Sequence, residues 1–416
     1  MSGLSDRLRA VVGGASASAP DGATARLAPP CNLEGEIGGE WREHVGARCF
    51  VVERRVEASR PYGDQRVGDL AAQFASASAD APLVAGGAPA RAPFVFIDLE
   101  TTGLSGGAGT YAFLVGCAWF DDEGAFVTRQ YMLTRFADER ALLGAVAAEL
   151  RPAGAMVSFN GKSFDAPVLE TRYLFHRLPW PAEALPHVDV LHPARRFWRD
   201  DDVPSCSLCA LERQVLGARR VGDVAGVEIP ARYFQFIRTG DARPLAPVLE
   251  HNRLDLLSLA GLTARILHMV QSGPEASRDA REALALGRIY SRGGLDTRAR
   301  QAFEIAASRA TGGPLRVEAL RSLALAWRRA RRFDEAASCW RALLDVAACP
   351  PNVAGEAMEA LAIHHEHRIR DLEAAKAFAL KSLGVGSGAK AALQHRLIRL
   401  DRKIEQGSAR TLNLEL

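Results

Sequence analysis

Between residues 94 and 190 the hydrophobic pattern changes period. Phe94-Val95-Phe96-Ile97 is a short apolar run of β-forming residues, residues 111–120 form a second beyond a glycine-rich turn, and residues 126–133 alternate. Three such runs on short turns predict an antiparallel meander. A helix is then expected from an Asp138 cap to residue 150, a strand over 155–159, a helix over 165–176 and a short strand over 187–190. Strands followed by alternating helices and strands give an α/β (α+β) order, a mixed sheet flanked by helices. After Ser205 every segment reads as helix. Upstream, Cys49, Phe50, Val51 and Val52 mark a further strand over 48–56, whereas residues 71–93, rich in Ala, Gly and Pro, read as a linker or long loop. Residues 1–35 show no sustained period and read as a flexible arm with room for one short helix near Arg7.

The last third repeats itself. Ala285-Leu286-Gly287 with Tyr290 superposes on Ser322-Leu323-Ala324 with Trp327 and on Ala360-Leu361-Ala362 with His365. Ala299, Ala336 and Ala374, then Phe303, Trp340 and Phe378, keep the same offsets. This small–large pattern, recurring about every 37 residues, resembles the tetratricopeptide repeat, a stacked helix–turn–helix unit. The period is slightly long and the usual proline between units is missing; the alternative is an irregular helical bundle. The resulting partition is an arm over 1–35, a strand-containing segment and linker over 36–93, a sheet domain over 94–272 and an all-α repeat domain over 278–416.

Composition narrows the class. With 48% hydrophobic and 24% charged residues, the 416-residue chain has the make-up of an ordinary globular protein of two or three domains. No apolar run reaches about eighteen residues and no basic stretch precedes an apolar one at the start, so neither a membrane span nor a signal peptide is expected and the cytoplasm is the default compartment. Seven cysteines fit that compartment. Cys206 and Cys209 form a C-x-x-C without the second pair that structural zinc needs, and read as ordinary thiols. The net charge of +3 divides unevenly: residues 278–416 hold 24 Lys and Arg against 16 Asp and Glu, leaving 28 against 33 for the rest. The basic surplus of the last third can attract a polyanion, or simply be a solvated helical surface.

Three short segments carry candidate chemistry. In Asp98-Leu-Glu100-Thr-Thr-Gly103, residues i and i+2 of a strand put both carboxylates on one face, able to converge on one cation. In Asn160-Gly-Lys-Ser-Phe-Asp165, a strand gives way to a helix, which places Asp165 at the sheet edge or merely at the helix cap. In His251-Asn-Arg-Leu-Asp255, i,i+4 spacing sets imidazole and carboxylate on one helical face, a common surface arrangement. None decides alone.

Together and in this order they do. Asp98, Glu100, Asp165 and Asp255 with a nearby base resemble the DEDD exonucleases, whose ribonuclease H-like fold gathers four carboxylates around two divalent ions. The further run Thr110-Tyr-Ala-Phe-Leu-Val-Gly116, Phe159 to Asp165, Leu211-Glu212, Leu216-Gly217, Gly226 and Glu250 to Asp255 is similar to the YprB-like branch of predicted bacterial exonucleases, over about residues 40–270; members can carry C-terminal tetratricopeptide repeats. The resemblance implies a metal-dependent 3′–5′ exonuclease acting on single-stranded nucleic acid, DNA or RNA, with Mg²⁺ or Mn²⁺ as cofactor. Hard oxygen ligands suit such ions, and two ions about 3.5–4 Å apart can serve an in-line displacement. It further implies that Asp98 bridges both ions, Glu100 and Asp255 bind the nucleophile-side ion, Asp165 supports the second, and His251 deprotonates the attacking water. An imidazole's ordinary pKa of about 6.5 suits that role. The backbone of Thr101, Thr102, Gly103 and Leu104 would receive the terminal nucleotide. Three residues separate His251 from Asp255, as in the tyrosine subclass, whereas the residue itself is that of the histidine subclass, so the subclass stays open.

Softer candidates surround this set. Asp189 ends a strand beside the expected site, Asn160 can fix its loop and Lys162 can contact a phosphate. The Gly106–Gly109 stretch lacks the following helix of a nucleotide-binding loop and reads as a turn at the cleft rim. Arg195, Arg196 and Arg199 with Phe197 and Trp198 can hold a single strand by charge and stacking, or pack as a helix. The rival reading of the whole chain is a silent nuclease-like scaffold or nucleic-acid-binding protein whose repeats take a protein or peptide partner.

Overall fold

The computed structural model describes residues 32–44, 46–103, 109–199, 206–347, 349–385 and 390–412. The helix expected near Arg7, Leu104 and most of the expected arm and glycine turn lie outside the described residues. The strands are β1 (Glu40–His44), β2 (Ala47–Val56), β3 (Pro61–Tyr62), β4 (Gln65–Arg66), β5 (Phe94–Thr101), β6 (Ala112–Phe120), β7 (Phe126–Met132), β8 (Ala155–Ser158) and β9 (His187–Asp189). Seven of them form one mixed sheet in the order β1-β2-β7-β6-β5-β8-β9. β5, β6 and β7 are the antiparallel meander read from the sequence, and β8 and β9 run parallel on the far side of β5.

Upstream of the meander the structure departs from the sequence reading. The expected linker begins as helix: α2 (Val67–Ala77) and α3 (Ala81–Val84) follow the short α1 (Leu33–Ile37). Alanine is the strongest helix former but too small to draw an apolar stripe, so the period is faint. α2 nevertheless buries Leu70 and Phe74, and the Phe74 ring lies 5.0 Å from Phe94 and 5.4 Å from Phe96. Leu33 and Ile37 of α1, near the end of the expected arm, are buried as well.

Along β5 the two faces separate by strand alternation. Val95, Ile97 and Leu99 enter a core with α4 (Glu139–Leu150) and α5 (Asp165–Phe175). Phe94 and Phe96 enter the opposite core. There they meet α6 (Leu191–Trp198), α7 (Leu208–Leu211) and the 27-residue α9 (Ala246–Ser272), which follows α8 (Ile229–Thr239). Asp98 and Glu100 continue the Phe94–Phe96 face, so they emerge on the side of the sheet that α9 covers.

The C-terminal region is all-helical. Antiparallel pairs α10 (Ala280–Arg292) with α11 (Asp296–Arg309), α12 (Gly313–Arg329) with α13 (Phe333–Leu344) and α14 (Pro351–His364) with α15 (Leu372–Gly384) are followed by α16 (Lys390–Leu412). Small residues on the first helix admit large ones from the second: a Cβ on Gly287 would stand 2.4 Å from the Phe303 ring. One apolar cluster runs from Phe94 and Phe96 through α9 into these helices. Trp198 Nε1 adds a 3.2 Å hydrogen bond to Glu282 of α10. Among the described residues, no helix is long and apolar enough to cross a membrane.

Candidate active site

The site begins with a close approach. Gly116 of β6 lies directly across from Asp98 of β5, and a Cβ there would come within 2.3 Å of Asn252 Oδ1 and 2.7 Å of Leu256 Cδ1. Its lack of a side chain lets α9 settle onto the sheet beside Asp98. Buried Gln130 of β7 donates to Leu249 O at 2.8 Å and to Asn252 Oδ1 at 2.9 Å. The orientation this imposes turns Asn252 Nδ2 toward Asp98, where it donates to Oδ2 at 2.8 Å. A three-residue relay across β7, α9 and β5 therefore fixes the first carboxylate.

Asp165 opens α5 and is only 7% exposed. Its loop is tightly turned: Asn160 sits at φ 69°, and a Cβ on Gly161 would strike Ser158 Oγ at 2.2 Å. Asp189 holds this loop from β9, accepting from the backbone N–H of Asn160 at 2.8 Å, Lys162 at 3.1 Å and Leu191 at 3.1 Å. With its oxygens so engaged, Asp189 organises the backbone beside Asp165, while the Lys162 side chain is exposed.

Electrostatics links the four carboxylates. Asp98 is pushed well above the ordinary carboxylate range by desolvation and then by the charges of Asp255, Glu100 and Asp165, with the Asn252 hydrogen bond opposing. Glu100 is raised by desolvation, then by Asp255, Asp165 and Asp223. Desolvation lifts Asp165 to about 7 against hydrogen bonds from its own and the Leu99 backbone amides, with Asp189 adding to the rise. Asp255 is raised by desolvation despite Arg220 and His251. Among the described residues, neither Asp98 nor Glu100 pairs with a basic side chain.

Arg220, 6% exposed, is the centre of a network that the sequence reading missed. Its guanidinium donates to Asp255 Oδ1 at 2.5 Å, Asp223 Oδ2 at 3.1 Å and Glu212 Oε2 at 2.8 Å. Ser258 Oγ completes the support of Glu212 at 2.6 Å. Glu212 stood within a recognisable motif, but Arg220 and Asp223 lie in a loop without period, where only the fold brings them to α9. Asp223 in turn meets His251 Nδ1 at 2.8 Å, while His251 Nε2 is 3.4 Å from Asp255 Oδ2. Desolvation would raise Asp223, but the hydrogen bonds and charges of His251 and Arg220 outweigh it and keep the carboxyl below its ordinary range. An ionised Asp223 can only accept, so His251 donates to it from Nδ1, and Nε2 turns toward Asp255.

At the end of β5, Thr101 Oγ1 donates to Gly103 O at 2.9 Å, and Tyr111 N donates to Thr102 Oγ1 at 3.0 Å. Gly103 faces open space. The donor set suits a hard divalent cation in its chemistry: desolvated carboxylates that repel one another and lack counter-charges at Asp98 and Glu100. It is not a closed cage. Among the described residues, no group of three or more His, Cys, Asp or Glu forms a candidate metal cluster, and Asp255 is drawn to Arg220.

Residues 95–267 match the RNase_H superfamily. The uncharacterized protein YprB of Bacillus subtilis (strain 168) is 36% identical over 197 residues, 47% of this chain and 47% of that protein. The chain thus spans about half the length of the curated relative it matches. An RNase H-like domain suggests a nuclease that processes nucleic acid, and RNase H-like nucleases generally use divalent metal ions.

Proposed function

We propose that this chain is a metal-dependent 3′–5′ exonuclease of the DEDD type, acting on single-stranded DNA or RNA. The observation that carries the reading is the gathering of four desolvated carboxylates from one strand and two helices: the charges of Asp255, Glu100 and Asp165 all bear on Asp98, and among the described residues no basic side chain pairs with Asp98 or Glu100. A purely structural role gives no reason to collect repelling acids at the end of one strand. These four residues would hold Mg²⁺ or Mn²⁺, which when bound supplies charge neutralisation and Lewis acidity toward a phosphodiester. His251, with Nδ1 anchored on Asp223, accepts a proton from water at Nε2. Asn252 keeps Asp98 oriented, and Asp189 holds the loop that carries Asp165. The β5 end over Thr101, Thr102 and Gly103 receives the terminal nucleotide, with Lys162 available to a phosphate.

The Arg220–Asp255 ion pair favours a second reading, in which the nuclease-like region is silent and the chain acts as a scaffold, its tetratricopeptide-like pairs holding a protein or peptide. One experiment separates the two. Single-stranded DNA and RNA, labelled at the 3′ or the 5′ end, are incubated with EDTA, Mg²⁺ or Mn²⁺, beside Asp98→Ala. The exonuclease reading expects stepwise shortening from the 3′ end that needs the metal and falls by about a thousandfold in the variant, the scale of several kcal/mol of charge stabilisation. Binding without product under every condition would establish the scaffold.

A further inference from the structure

Away from the carboxylates, where α6 meets the first two helical pairs, a cleft of about 380 Å³ is lined by Arg196, Arg288, Arg292 and Arg329. Phe303 and Leu325 form apolar parts of its wall. Arg288 and Arg292 stand one turn apart on α10, Arg329 ends α12, and Arg196 comes from the last turn of α6. The fold brings together arginines that are more than 130 residues apart in sequence at the extremes.

Of the four guanidinium groups, only Arg288 has an acidic partner among the described residues. Arg288 has Glu318 beside it, and Arg329 donates to Ser291 Oγ at 3.2 Å. Arg196 and Arg292 are exposed, and among the described residues neither has an acidic partner. Partial desolvation and the charge of Arg196 lower the pKa of Arg288; partial desolvation, Arg196 and Arg288 do the same to Arg292. Arginines held close against their own repulsion, beside an aromatic ring, form a standing site for a polyanion. α6 leads from the candidate active site to this cleft: it begins directly after Asp189, and its axis rises about 8 Å from Leu191 to Arg196.

We propose that this arginine cleft is a second nucleic-acid site, which grips the phosphate backbone of a single strand whose 3′ end lies at the carboxylates. The choice of nucleic acid over another polyanion rests on the exonuclease reading. Arginine forks match phosphate oxygens bidentately, and such contacts position a strand without reading its sequence. The repeat region would then lengthen the bound segment, so that oligonucleotides long enough to reach the cleft bind more tightly than short ones.

The test is binding by the full chain in EDTA, which keeps it independent of turnover. Fluorescence anisotropy is measured with oligothymidylates of about 6 and about 20 nucleotides. The double variant Arg196→Gln/Arg292→Gln is compared with Arg370→Gln/Lys390→Gln, which removes the same charge elsewhere. We expect the cleft variant to bind the longer strand about tenfold more weakly, with the slope of log affinity against log salt smaller by about 1.4, two phosphate contacts at about 0.7 each. The short strand should change little, and the control should follow the unmodified chain. Equal losses in both double variants, or none in either, would overturn the proposal. So would competition by polyglutamate as effective as the longer strand, which would assign the cleft to an acidic protein. Cleavage by the unmodified chain with an unaltered binding profile would reject the cleft and leave the exonuclease standing; length-dependent binding without cleavage would do the reverse.

Discussion

At the C-terminal end of β5, an interior strand of the sheet, acids crowd together and among the described residues two of them lack a counter-charge, whereas in the helical array the buried positions are filled by small residues against large ones. Asp98, Glu100, Asp165 and Asp255 all have raised pKa values through desolvation. In the array Gly287 admits Phe303, while Ala336, Ala337 and Trp340 are buried on α13. The first arrangement costs stability and makes sense only if a ligand relieves it; the second supplies stability and asks for no ligand. Both meet in one continuous apolar cluster, so the array can help support the crowded carboxylates.

The sharpest way to break that comparison is to damage the array. Trp340 is 2% exposed, and Trp340→Ala removes a large buried ring at a cost of about 3–5 kcal/mol. Far-UV circular dichroism during thermal unfolding should show the helical signal melting much earlier. If the array merely decorates the sheet, the melting of Trp119, read by fluorescence in a background whose other tryptophans are phenylalanine, will be the same with Ala as with Phe at position 340; a parallel fall with Ala shows that the two regions stand or fall together.

Damage beside the carboxylates should have a smaller effect on stability and a different effect on rate. Arg220→Ala leaves Glu212, Asp223 and Asp255 without their shared cation, which should cost about 3 kcal/mol. It also frees Asp255 and, through Asp223, His251, so a loss of about 10–100-fold in turnover is expected, as for an outer partner of a metal ligand. Arg220→Lys should recover much of the stability and less of the rate, because an ammonium cannot reproduce the fork to three carboxylates. Steady-state kinetics beside urea titration checks both. Full activity in a destabilised Arg220→Ala would reduce Arg220 to a structural ion.

The two regions were not equally legible in the sequence. β5, β6 and β7 were readable because their apolar runs are long and their turns short, whereas the four carboxylates were singled out by a family resemblance, since no one segment's spacing decides alone. The small–large repeats foretold the helical pairs because a helix face imposes fixed spacing. α2 escaped because alanine draws no stripe, and β1, at the sheet's edge, has no clear alternation. Asn252 was in view beside His251, yet its tie to Asp98 depends on Gly116 of a neighbouring strand. Arg220 and Asp223 belong to a loop whose only ordering principle is the charge it meets on α9. Such residues become visible only once the tertiary contacts are known.

The smallest effect should come from pH and metal together, and its sign reports directly on the crowded carboxylates. Asp165 is raised to about 7 from an ordinary value of 3.8, first by desolvation and then by Asp189. Asp98, Glu100 and Asp255 are shifted in the same direction. Between about pH 4 and pH 7 the native state therefore holds more protons than the unfolded chain, so stability is fully present below the unfolded values and is lost as pH rises through the folded ones. Asp223 is depressed, so its contribution is present above its ordinary 3.8 and fades only as pH falls further, outside this window. Without metal, the melting temperature should thus carry a downward contribution from pH 5 to pH 8. A divalent cation replaces the protons, and its stabilisation, a few °C at about a hundred times its dissociation constant, should be larger at pH 8 than at pH 5. Asp165→Asn should raise the metal-free melting temperature at pH 8 and shrink the response to Mn²⁺. Thermal melts in EDTA and in Mn²⁺ at the two pH values decide the matter: a metal response that is equal at both, and unchanged in the variant, would mean that the four carboxylates are not what the cation relieves.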